Sequence, residues 1–231
     1  MDFLSEGVVQ ALHLLWALDA ETFAAVRATV LSTLYAMLAA LLLGLPLGLV
    51  LGYCDFPGRR VLRLISDTLL AFPTVLIGLL VYAFISRRGL LGDFGLLFTL
   101  EGMAVGQTIL ALPIMVSLTA QAVESLDPRC RLTLLTLGAN RRQLAWGTLC
   151  ELRYEIMMVA VAAFGRVVTE VGIAMMLGGN IKWETRTITT AIALETSKGE
   201  FAQGIALGMV LLGMAFLVNA ALTMLRRRGR A

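Results

Sequence analysis

The strongest constraint on this 231-residue chain is a series of five apolar segments at about residues 28–53, 64–86, 100–122, 155–178 and 203–225. Each is near or above the ~20 residues that a helix needs to cross a bilayer. Inside hydrocarbon no water is available to backbone N–H and C=O groups, so such segments cross as helices whose hydrogen bonds close internally. The chain is 58% hydrophobic and only 15% charged, whereas charged residues make up about a quarter of a soluble domain. The expected fold class is an all-α membrane protein of about five transmembrane helices. The chain reads as one transmembrane domain over residues 1–231, with no length left for a second, soluble one.

Residues 1–24 are expected to add an N-terminal interfacial helix. Phe3, Leu4, Val8, Leu12, Leu15 and Trp16 recur at helical spacing, the pattern of an amphipathic helix lying along the membrane surface. Asp2 and Glu6 stand where a signal peptide would carry basic residues, and no small-residue cleavage site follows. His13 is the one histidine in the chain, so a histidine-based metal site is not expected. Cys54, Cys130 and Cys150 lack metal-ligand or redox spacing and are expected to stay reduced and inert.

Further classes fall away on motifs. No G-x-x-x-x-G-K-[ST] run is present, so the chain is not expected to bind ATP in the P-loop manner. No Ser/His/Asp or H-E-x-x-H arrangement is present either, so it is not expected to be an enzyme by itself. Basic residues do not interleave with exposed aromatics, and nucleic acid is not an expected partner.

Basic residues set the expected orientation. Arg59, Arg60 and Arg63 lie between segments one and two; Arg129, Arg131, Arg141, Arg142 and Arg153 lie between three and four; Arg226, Arg227, Arg228 and Arg230 form the tail. With an odd number of spans these regions share one side, and the positive-inside rule makes it cytoplasmic. The N-terminus is then outside and the C-terminus inside. Arg87 and Arg88 run against the rule.

Within the segments, Gly44, Gly48 and Gly52 repeat at intervals of four, as do Gly102 and Gly106. Small residues at this spacing admit close helix approach. Pro46, Pro73 and Pro113 each fall inside an expected span and should kink it. Between spans three and four, residues 123–154 turn polar and basic. Gly138 there predicts a turn, followed by Arg141 and Arg142, as in a short helical hairpin at the cytoplasmic surface.

The fourth segment carries Phe164-Gly-Arg-Val-Val-Thr-Glu-Val-Gly172. Arg166 and Glu170 are spaced one helical turn apart near mid-membrane, where a charge costs a few kcal/mol and so faces the bundle interior. One reading is an i,i+4 pair that locks a helix interface; the other is a lining or gate for a charged solute. Gly178, Gly179 and Asn180 then break the helix, and residues 179–202 become semi-polar on the external side. Thr185, Thr187, Thr189, Thr190, Thr196 and Ser197 supply hydroxyls there, with Arg186 and Lys198 as cations. A short re-entrant helix near 186–196, lining an outer vestibule, would suit backbone at membrane depth. An ordinary interfacial loop is the other reading.

These stretches resemble the membrane permeases of type I ABC importers. That family carries a cytoplasmic E-A-A-x-x-x-G motif, and Gly138 takes its glycine position, followed by Ala139-Asn-Arg-Arg-Gln143. Leu132, Thr133 and Leu134 stand in place of E-A-A. The F-x-R-x-x-x-E-x-G run at Phe164–Gly172 is similar to that of molybdate, sulfate and tungstate permeases. Met176–Ile181, Thr185-Arg186 and Thr189–Phe201 are most similar to the tungstate branch, as are Phe56–Arg60, Phe72–Val75 and Ala111–Ile114.

The resemblance implies a bacterial or archaeal cytoplasmic-membrane permease working as a homodimer. It implies two ABC ATPase subunits that bind ATP and Mg, an extracytoplasmic oxyanion-binding protein, and no cofactor in this subunit; membrane lipid is the other expected contact. Leu134, Leu137, Gly138, Ala139, Asn140, Arg141 and Arg142 would form the coupling helix received by the ATPase. Arg166, Glu170, Gly172, Gly178, Gly179, Asn180, Thr189, Thr190 and Glu195 would line the translocation pathway. Molybdate or sulfate would be the alternative cargo. A secondary carrier, for which no internal repeat speaks, and a membrane scaffold without transport are the readings from other classes.

Overall fold

The structure, a computed structural model, describes residues 8–9 and 19–228. The expected interfacial helix at 1–24 falls largely outside the described residues, as do His13 and Arg230.

Helix α1 spans Ala20–Tyr53, 34 residues, and begins earlier than hydropathy alone indicates. Asp19 is the reason: its Oδ2 accepts from the Thr22 backbone N–H at 2.8 Å and the Thr22 hydroxyl at 2.6 Å, an N-cap satisfying a donor the helix cannot use itself. Helix α2 covers Arg59–Leu69 and α3 covers Thr74–Ile85. Their axes differ by 103°, so the expected span at 64–86 is a broken pair and not one helix. Pro73 stands at the N-cap of α3, and its effect is larger than the expected kink. It lacks an N–H, and it drives the preceding Phe72 out of the helical region. Pro46 and Pro113, by contrast, lie inside the continuous helices α1 and α4 (Leu100–Glu124).

Helices α1 and α4 run parallel and form the spine. A Cβ placed on Gly44, Gly48 or Gly52 would come within 2.6 Å of the Cβ of Met115, Thr119 or Val123, respectively. The glycine repeat is therefore the groove that receives α4 within the same chain. Ala36, Ala40, Ala111 and Met115 continue this contact, and Val159, Ala163 and Val167 close it from the next membrane helix.

That helix, α7 (Arg153–Val168), follows two short ones, α5 (Pro128–Thr136) and α6 (Arg141–Glu151). It too is broken. Helix α8 (Gly172–Gly178) leaves it at 61°, which replaces the expected continuous span at 155–178. A second core, with Ile77, Val81, Ile85, Met103, Ile173 and Leu177, joins α3 and α8 to α4. Helix α9 (Ile188–Lys198) turns through Gly199, φ +86°, into α10 (Phe201–Arg228). Among the described residues, three helices are long and apolar enough to span by themselves, and up to five spans result if each bent pair counts as one.

The two ends of the bundle are tied separately. At one, Glu21 pairs with Lys182 at 2.7 Å and Arg186 at 2.6 Å, and Phe98 N–H donates to Leu177 C=O at 2.8 Å. At the other, Arg59 meets Glu124 at 2.9 Å, and Tyr53 is hydrogen-bonded to Thr148 of α6.

Candidate functional site

The break between α7 and α8 holds a closed set of polar contacts. Arg166 lies in the last turn of α7, where a cation complements the negative helix end. Glu170 lies beyond that helix, at the start of α8. Its Oε1 accepts the N–H groups of Gly172 at 3.0 Å and Ile173 at 3.4 Å, the favourable place for an anion. Its Oε2 accepts Arg166 Nη1 at 3.0 Å. The backbone is used as well: Glu170 N–H donates to Val167 C=O at 3.1 Å, and Glu170 C=O accepts the Thr189 hydroxyl at 3.1 Å. The pair therefore does not decorate one continuous helix face, as the i,i+4 spacing suggested. It closes a gap by neutralising two facing helix poles.

The two members differ in access. The Glu170 side chain is 4% exposed and the Arg166 side chain 43%. Gly172 brings a third element close, since a Cβ there would stand 3.3 Å from Glu170 Oε1, 3.5 Å from Val75 Cγ2 and 3.8 Å from Thr74 Oγ1. The first turns of α3 and α8 thus lie side by side, break against break. Thr74 and Val75 were not among the sequence candidates, although Pro73 marked the position.

Helix α9 also borders the junction. Ile188 N–H donates to the Thr29 hydroxyl at 2.9 Å, about 14 Å along α1 from Ala20 at the helical rise of about 1.5 Å per residue. Thr189 bonds both Glu170 and the Thr187 hydroxyl, the latter at 2.9 Å. Thr190, fully buried, is committed to the capping box with Thr187. Of the nine candidate pathway residues, Arg166, Glu170, Gly172 and Thr189 meet at the junction. Thr190 serves the α9 cap.

The other four lie at the end of the bundle that holds Glu21. Gly178 C=O accepts the Thr185 hydroxyl. Gly179 and Asn180 adopt positive φ of +70° and +52°, and Asn180 Oδ1 accepts Arg186 Nε at 3.3 Å. Glu195 pairs with Lys198 at 2.8 Å beside a cavity of about 460 Å³ that Asp19, Glu21, Lys182 and Arg186 also line.

The second candidate surface is the α5–α6 hairpin. Gly138, φ +78°, ends α5: its N–H donates to Leu135 C=O and that of Ala139 to Leu134 C=O, both at 3.0 Å. This is a Schellman motif, which needs a left-handed residue at that place. Asn140 then caps α6, exchanging bonds with Gln143 at 2.8 and 2.9 Å. Leu134–Arg142 is therefore the tip of a helical hairpin and not a single coupling helix. Leu132, Leu135, Leu137 and Trp146 are exposed on it, as is Arg142; the side chain of Arg141 lies outside the described residues.

A family profile described as the binding-protein-dependent transport system inner membrane component matches residues 44–231. The tungstate uptake system permease protein of Campylobacter jejuni is 47% identical over 227 residues, 98% of this chain and 95% of its own. That of Peptoclostridium acidaminophilum is 34% identical, covering 96% of this chain and 97% of its own. Among solved structures, a chain of the inward-facing MetNI methionine ABC transporter superposes with a TM-score of 0.73 at 18% identity, over 93% of this chain and 97% of that one. That likeness is one of fold.

Proposed function

Because this chain belongs to the family of binding-protein-dependent transport system inner membrane components, we propose that it is the permease subunit of an ATP-driven tungstate importer. Two copies form the pathway as a homodimer. Each presents its α5–α6 hairpin to one cytoplasmic ATPase subunit, which binds ATP and Mg; the permease itself is non-catalytic and carries no cofactor. An extracytoplasmic binding protein delivers the oxyanion at the end of the bundle that holds Glu21, Arg186 and Glu195. The N-terminus is outside and the C-terminus cytoplasmic, as the clusters at Arg59–Arg63 and Arg129–Arg153 favour. Closing and opening of the ATPase pair drives alternating access by rigid-body movement of the helices.

The observation that carries this reading is the asymmetry of the Arg166–Glu170 pair. Two α8 N–H groups hold the Glu170 carboxylate independently of Arg166. The half-exposed guanidinium can therefore leave Glu170 for a passing dianion without stranding a buried charge, whose abandonment would cost several kcal/mol. Exchange between two anions gives weak, transient affinity, which a pathway requires. Tungstate as cargo rests on the two tungstate uptake permeases to which the chain is similar.

The test is uptake of labelled tungstate into cells lacking their own systems, given this permease with its ATPase and binding protein. ATP-dependent uptake that prefers tungstate supports the reading. Preference for molybdate or sulfate changes the cargo and keeps the machine. Uptake that persists without the ATPase contradicts it.

A further inference from the structure

Arg59, at the start of α2, binds in four directions. Its Nε donates to Leu51 C=O at 2.8 Å and its Nη2 to Gly52 C=O at 3.2 Å, both in the last turn of α1. Its Nη1 donates to Asp55 at 2.6 Å, and Nη2 also reaches Glu124 Oε1 at 2.9 Å. One planar guanidinium thus gathers the end of α1, the start of α2 and the last residue of α4. A lysine, a point charge on a flexible stem, cannot satisfy those acceptors together. The next turn of α2 repeats the contact. Arg63 donates to Ser117 C=O at 3.2 Å and lies 3.3 Å from Asp67 and 3.7 Å from the second oxygen of Glu124. Asp67 in turn accepts the Ser117 hydroxyl.

The helix is consequently inverted. Arg59, Arg63 and Asp67 turn toward α4, while Val61, Leu62, Leu64 and Ile65 are exposed. Leu62 and Leu69 only partly cover an apolar recess shared with α1 and α4, and these charges supply the direct polar ties that fasten α2 to α4. The cluster also sits at the root of the α5–α6 hairpin. Glu124 ends α4, and α5 begins at Pro128. Tyr53, the residue after Gly52, is hydrogen-bonded to the buried Thr148 in α6. Both helices of the hairpin are therefore fastened to the elements that Arg59 joins.

We propose that Arg59 is a positioning residue that makes the ends of α1, α2 and α4 and the root of the α5–α6 hairpin one rigid unit, so that a push on the hairpin reaches the broken helices. The chain of contacts runs from Glu124 through α2 to α3, and from α3 to Gly172 at the α8 junction. This proposal rests on the reading of α5–α6 as the surface that meets the ATPase.

The test uses the full transporter in proteoliposomes, with ATP hydrolysis and tungstate uptake measured together. Arg59→Ala should assemble and hydrolyse ATP while uptake per ATP falls at least about fivefold, the low end of coupling between sites. Glu124→Gln, which leaves the Arg59 bonds to α1 and Asp55 in place, should fall in the same direction and serves if Arg59→Ala does not assemble. A double R59C/E124C variant, with Cys54, Cys130 and Cys150 changed to Ser, separates a tether from a simple charge. Uptake per ATP should be low when its thiols are reduced and return when a short thiol cross-linker joins them. A parental ratio in both single variants, or no recovery on cross-linking, overturns the proposal alone. Absence of ATP-dependent uptake in the parent transporter overturns the functional reading beneath it as well.

Discussion

Arg166 and Glu170 each have a local reason to be charged. The guanidinium faces the carbonyl end of α7 and the carboxylate faces the N–H end of α8, so the pair stabilises a break as well as itself. The two charges are conspicuous in an apolar segment, and the sequence reveals them. Their geometry is hidden, because Thr169-Glu170-Val171 contains neither proline nor glycine to announce where α7 stops. Glu170→Gln keeps an acceptor for Gly172 but loses the charge that holds Arg166. Thermal denaturation of the assembled complex should show a loss on the order of 1 kcal/mol, since the Arg166 partner is half-exposed. A change confined to the experimental error would mean that the pair holds nothing together. Gly138 makes a separable prediction. A Cβ there would meet nothing within 4 Å, so the requirement is its positive φ and not space. Gly138→Val should cost about 1–2 kcal/mol of local strain and uncouple uptake from ATP hydrolysis, whereas Gly138→Asn should be tolerated. Equal coupling in both variants would contradict the Schellman turn as the functional feature.

At the scale of elements, the α1–α4 contact is the most legible part of the fold, and the broken helices are the least. The Gly44, Gly48, Gly52 repeat is written in the sequence, and its partner row, Met115, Thr119 and Val123, advances by the same four residues. Gly48→Leu should therefore separate the spine. Its Cβ would lie 2.6 Å from Thr119 Cβ and 2.9 Å from Val116 C=O, and neither backbone can yield without disturbing a helix. The expected outcome is loss of assembled complex in detergent, while Gly213→Leu, at an exposed helical position of α10 where a Cβ would meet nothing within 4 Å, should leave assembly far less affected. Hydropathy reads the second and fourth segments as single spans because it sums apolar character and is blind to direction. Pro73 marks where the second changes direction, and the contacts of Arg59 and Arg63 with Glu124 and of Asp67 with Ser117, which hold α2 against α4, join it in setting the 103° turn. Those are long-range contacts that no local window contains.

For the whole molecule, polar chemistry is sorted to three levels. Glu21, Lys182, Arg186 and Glu195 occupy one end, the Arg166–Glu170 junction lies between, and Arg59, Glu124 and the α5–α6 hairpin occupy the other. The apolar length between these levels was legible from composition and spacing. Their connection was not, because it depends on which helix ends meet. Under the proposed function the three levels form one path for a dianion, with Arg166 as the cation that changes partner midway. The most direct test is ATP-driven tungstate uptake by the complete transporter carrying Arg166→Gln. Glu170 keeps its two α8 N–H bonds in that variant, so the complex should assemble and hydrolyse ATP, while uptake falls at least about tenfold, equivalent to ~1.4 kcal/mol of lost interaction along the path. Uptake at the parental rate would show that the cargo does not pass by Arg166, and the junction would then be a structural joint alone.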